Sequence, residues 1–157
     1  MRISHGLWVP AVLLASVLCC IPAAQGAGEG PLYVGSKACA DCHAEQYDRF
    51  MEHSKKPHSW RSVEVMRPKL KPFELQGCYE CHTTGYGKPG GFVSYEQTPH
   101  LAEVGCETCH GPGSEHAETG DTSLITRRPA IESCKTCHNE TRVQDFNFKP
   151  LLFSGAH

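Results

Sequence analysis

"GCETCHGPGSEH", residues 105–116, sets two cysteines, two histidines and a Gly-Pro-Gly run within one short stretch. Cys106 and Cys109 are spaced C-x-x-C and His110 follows at once, the pattern by which a c-type haem is attached. Thiols at that spacing form thioethers along one porphyrin edge, and the next residue swings beneath the ring so that its imidazole bonds the iron. Gly111, Pro112 and Gly113 then forbid a continued helix, because proline has no N–H to donate and glycine costs helix entropy. His116 is therefore turned away from His110 and is expected to serve a different haem.

The same five-residue unit occurs at Cys39/Cys42/His43, Cys78/Cys81/His82 and Cys134/Cys137/His138. With histidine at 10 of 157 positions, four chance followers of C-x-x-C have a probability on the order of 10⁻⁵, so the unit is specific. Zinc knuckles also use C-x-x-C pairs, yet zinc does not require an adjoining histidine four times over. A thioredoxin-like dithiol needs one active pair and a βαβ setting, and no such pattern surrounds these sites. A disulfide framework, the usual use of many cysteines in an exported chain, would leave the four histidines unexplained.

Residues 1–26 read as a secretory signal peptide, with Arg2, an apolar run from Leu7 to Ile21 and small residues at Ala24 and Gly26. The run is interrupted by Pro10 and is short for a membrane span. Export to the periplasm or cell surface is expected, with no membrane association in the mature chain. Residues 27–157 then form one domain, in which every cysteine belongs to an attachment site. A domain of this size buries a modest share of its surface by protein packing alone, so four haem c groups must supply much of the core.

The attachment sites are unevenly spaced, which places them in one domain rather than in four repeats. "HAEQYDRFMEHSKK", residues 43–56, carries Ala44, Tyr47, Phe50 and Met51 at helical spacing and ends before Pro57. "TTGYGKPGGF", residues 83–92, is loop-forming by its glycines and Pro89. A further short helix is expected in "PAIESCKTCH", residues 129–138. The expected fold class is mainly α with long irregular loops and little or no sheet, organised around four covalently bound haems.

Beyond residue 26 the chain has 14 basic against 17 acidic side chains. Haem propionates would deepen that deficit to about −7 with ferric haems and about −11 with ferrous ones. Such a balance argues against nucleic acid and suggests redox partner proteins with a basic docking face.

Five histidines remain for the sixth iron positions: His53, His58, His100, His116 and His157, with Met51 and Met66 as competitors. Because histidines outnumber the irons, most haems are expected to be bis-histidine, low-spin and low in potential.

"YVGSKACADCHAEQY", "CHTTGYGKPGGF" and "VGCETCHGPGSEH", followed by a fourth C-x-x-C-H and "FNF" ahead of a final histidine, resemble the tetrahaem cytochrome c-554 family. The resemblance implies a mostly helical fold, closely packed haem pairs, three bis-histidine haems and one five-coordinate haem. It implies His116 as the sixth ligand of the haem on His43, His157 for that on His110 and His58 for that on His138. The open iron would be the one on His82. Three departures bear on this scheme. The interval from His43 to His58 is longer than in the family's namesake, so His53 rivals His58; the interval from His110 to His116 is shorter; and His100, in "TPHLAEVGC", has no counterpart there. His100 follows a flexible Gly-rich loop and could close the His82 iron at modest entropic cost.

Electron transfer between redox partners is the expected function. An open haem would instead allow reduction of a small nitrogen oxide, although no C-x-x-C-K site is present. Self-assembly into a conductive filament, with His157 donated between subunits, is the third alternative.

Overall fold

The computed structural model describes residues 30–140. Its regular elements are α1 (Ser36–Ala40), α2 (Ala44–His53), α3 (Trp60–Met66), α4 (Pro72–His82), α5 (Cys106–His110), α6 (Ser114–Thr119) and α7 (Ile131–Lys135), with short 3₁₀ turns between some of them. No strand occurs among the described residues, so the mainly α expectation holds. The expected signal peptide at residues 1–26 and His157 lie outside the described residues.

Local chemistry explains the helix ends. Helix α2 stops at His53, where Ser54 turns extended ahead of Pro57. Helix α4 starts with Pro72 in its first turn, where a missing N–H costs nothing, and the Glu74 carboxylate accepts the Lys71 N–H at 2.8 Å. Helix α5 ends at His110 because Gly111 takes φ 84°, and α6 begins three residues later. The Gly-Pro-Gly break is thus real, and it separates His110 from His116.

The protein's own core is small. Tyr33, Trp60, Val63, Phe92, Leu101 and Ala102 form one buried cluster, with Leu75, Cys78, Tyr79 and Tyr86 packed against it. Trp60 stacks on Tyr79 and Tyr95 and meets Phe92 at a tilt. The loop 84–92 is pinned to this cluster by Thr84, whose N–H donates to the Leu101 carbonyl and whose carbonyl accepts the Phe92 N–H, both at 2.9 Å. Within the loop, a Cβ on Gly91 would collide with the Gly85 carbonyl, so the close approach requires glycine. Phe73 and Val65, by contrast, remain largely exposed. So modest an apolar core is what a fold completed by bulky prosthetic groups would leave to its side chains.

Candidate haem centre

Each C-x-x-C-H unit occupies about one helical turn. In the first and fourth sites the histidine N–H closes an i→i+4 bond on the first cysteine: His43 to the Cys39 carbonyl and His138 to the Cys134 carbonyl, both at 2.9 Å. In the second and third sites the histidine is the last residue of α4 and α5. Residues at i, i+3 and i+4 of a helical turn share a face, which lets both thiols and the imidazole address one flat ligand.

The sites associate in pairs. Helix α5 meets α1, where the Cys106 N–H donates to the Ser36 hydroxyl at 3.0 Å. The Cys137 thiol lies 3.8 Å from the carbonyl oxygen of Glu80, a spacer residue of the second site. The first site is thereby coupled to the third and the second to the fourth.

Between the second and fourth sites lies a cavity of about 460 Å³. Cys81, Cys134 and Cys137 line it together with His58, His82 and His138, and Cys109 of the third site reaches it as well. Lys55, Lys56 and Arg61 also face it. Burial, then the nearby Lys56, lowers the pKa of His138 and so favours the neutral imidazole, the form that ligates metal. Burial likewise lowers that of Lys56.

At the other pair, the His43 and His116 rings lie 6.2 Å apart, centroid to centroid, with planes 19° from parallel. Imidazoles bonded at about 2 Å on opposite sides of one metal have ring centres roughly 6 Å apart. The Nδ1–H of His116 donates to the Asp121 carbonyl at 2.9 Å. Likewise His82 Nδ1 donates to the Ser59 carbonyl at 3.0 Å and His110 Nδ1 to the Thr126 carbonyl at 2.7 Å. In His82 and His116 such bonds fix the tautomer and leave the Nε2 lone pair for a metal, the usual outer-shell arrangement of a metal-bound histidine.

The other histidines are placed differently. His58 lines the cavity, but its Nε2 contacts the Met51 carbonyl at 3.3 Å, so ligation through Nε2 would require that contact to break. His53 is exposed and lies 3.9 Å from the Glu52 carboxylate, away from the cavity-lining residues. His100 stands on an exposed 3₁₀ turn with its ring against Gly35, and is not among the residues lining the cavity that His82 shares.

Sequence reasoning passed over two carboxylates. Glu107, a spacer residue of the third C-x-x-C, is 2% exposed. Its carboxylate accepts the N–H groups of Gly35 and Gly113, each at 2.7 Å, and of Val34 at 3.0 Å. Glu103 accepts the Trp60 N–H at 2.7 Å and the Ser59 hydroxyl at 3.0 Å. Burial raises its pKa, partly offset by those bonds. Two glycines, each just ahead of a helix, were the available hint for Glu107.

These donors suit a tetrapyrrole. Among the described residues, no three His, Cys, Asp or Glu side chains converge on a point a bare metal ion could occupy. The thiols and imidazoles are instead spread over faces and around a cavity, the donor set of a c-type cytochrome. Residues 38–111 match the family described as "Cytochrome c554 and c-prime", a span that holds the first three attachment sites. The chain is also 30% identical over 126 residues to "Cytochrome c-554" of Nitrosomonas europaea, an alignment covering 69% of this chain and 52% of that protein. The chain belongs to the cytochrome c-554 family, which implies covalently bound haem c. It spans about half the length of the curated relative it matches. No solved structure gives a significant match.

Proposed function

We propose that this chain is an exported tetrahaem c-type cytochrome that carries electrons between redox partner proteins at the periplasm or cell surface. The observation that carries this reading is the gathering of cysteines from the second, third and fourth attachment sites, Cys81, Cys109, Cys134 and Cys137, around one cavity. Haem iron supplies one-electron ferric–ferrous chemistry, and its usefulness as a wire depends on close neighbours. Cys39, Cys42, Cys78, Cys81, Cys106, Cys109, Cys134 and Cys137 tether the groups, and His43, His82, His110 and His138 bind from one side. His116 completes the His43 site, supported by their ring separation. His58 completes the His138 site, supported by the cavity that both line. His157 is assigned to the His110 site from the family resemblance.

Intact mass and metal content test the reading together. Four covalent haems and four irons per chain are expected. Fewer haems, an internal disulfide, or zinc in place of iron would overturn it.

A second reading, reduction of a small nitrogen oxide, requires an open iron at His82. It is favoured by the position of His100 against Gly35 rather than on the His82 cavity. Carbon monoxide added to the reduced protein separates the two readings: rapid binding at one haem supports the open site. Binding that appears only in His100→Ala supports closure and a pure carrier.

A further inference from the structure

Glu107 is buried, carries an ionisable group and has no part in the attachment chemistry, although it sits inside the third motif. Its partners are informative. Gly35 immediately precedes α1, which bears Cys39 and leads to His43. Gly113 immediately precedes α6, in which His116 is the third residue. One carboxylate therefore holds the starting points of both segments whose imidazoles face each other at 6.2 Å. Oε1 accepts from Val34 at 3.0 Å and from Gly113, while Oε2 accepts from Gly35 and from Val34 at 3.1 Å.

We infer that Glu107 is a positioning residue that sets His116 opposite His43 by clamping the backbone ahead of α1 and α6. The inference rests on the haem reading above. Carboxylate is suited to the task because it is acceptor-only on both oxygens, so every donor facing it is satisfied. Glutamine keeps the shape but turns an NH₂ group towards N–H donors, and aspartate keeps the charge but is one methylene too short to reach them all. The backbone has a second tie close by: Leu32 N–H donates to the Ser114 hydroxyl at 2.8 Å, and Ser114 N–H to the Leu32 carbonyl at 3.1 Å. Losing Glu107 should loosen the alignment of the two segments without detaching them.

The test is electron paramagnetic resonance and optical spectroscopy of the full holoprotein as Glu107→Gln, Glu107→Asp, His116→Ala and the double variant Glu107→Gln/His116→Ala. Each Glu107 variant is expected to keep its full haem mass while one low-spin haem becomes high-spin. Added imidazole should restore it, and the double variant should look like His116→Ala alone. Unchanged spectra in both Glu107 variants would overturn the inference. So would two high-spin haems in the double variant, or loss of haem from both Glu107 variants, because a positioning role leaves attachment intact. His116→Ala separates the levels of failure. If it leaves every haem low-spin, the ligand assignment falls and the inference with it; if it shifts one haem while the Glu107 variants do not, only the inference falls.

Discussion

Around Cys39 and Cys106 two imidazoles stand as a facing pair, whereas around Cys81 and Cys137 the histidines look into a cavity of about 460 Å³. A carboxylate braces each half, but in different states. Glu107 is 2% exposed and meets backbone N–H groups on both oxygens, which offsets the cost of burying its charge. Glu103 is only partly buried, makes fewer bonds to Trp60 and Ser59, and has its pKa raised by burial. Backbone amides can therefore preset a ligand pair where they saturate a carboxylate. The other half depends more on the group that fills it.

The largest expected effect follows from that dependence. Replacing Cys134 and Cys137 with serine removes the tether from the half that contains the cavity, and circular dichroism should show a much lower melting temperature. The equivalent change at Cys39 and Cys42 should cost less, because Glu107 and the Leu32–Ser114 bonds still hold that half together. Equal losses would break the comparison.

Next is ligand strength. His58→Ala and His116→Ala should each turn one low-spin haem high-spin. Exogenous imidazole should bind the His58 variant more readily, because its site adjoins the cavity. His53→Ala should change neither spectrum, given its exposed place beside Glu52. A high-spin signal in His53→Ala would move the sixth ligand of the His138 site to His53.

Charge separates the halves further. Lys55, Lys56 and Arg61 line the cavity, which brings three cationic side chains to this half. A cation near an iron favours the reduced state, so Lys56→Gln should lower the midpoint potential of one haem by something on the order of tens of millivolts. Spectroelectrochemical titration that finds no haem shifted downwards would remove Lys56 from the electrostatics of the site.

The C-x-x-C-H units stand out in the sequence because thioether chemistry demands a fixed local spacing, and a five-residue unit carries the same expectation wherever it falls. The break after His110 was legible for the same reason: Gly111, Pro112 and Gly113 act on their own backbone. The helix Ala44–His53 lies where periodicity placed it, and Ile131–Lys135 falls in the stretch expected to hold a short helix. What joins the sites was not legible. Glu107 reads as a spacer in "CETC", and its partners Gly35 and Gly113 are brought to it only by the fold. The place of His100 is likewise set by the fold: its ring lies beside Gly35, a neighbour that its distance along the chain from His82 does not reveal.

The smallest effect concerns Glu103. Its pKa is raised in the folded protein, chiefly by desolvation. The folded state thus holds this proton more tightly than the unfolded chain does. The resulting stabilisation is complete below the ordinary glutamate pKa and is lost as pH rises through the higher folded value. Partial exposure lets solvent screen the group, so the contribution is small. In Glu103→Gln the amide oxygen can still accept the Trp60 N–H, but the titration is gone. Subtracting the variant's melting temperature from that of the wild type at each pH should give a difference that is most favourable to the wild type in acid and declines towards neutrality. A flat difference would mean that the Ser59 and Trp60 bonds fully compensate the burial of the Glu103 carboxylate, and the contrast between the two braces would disappear.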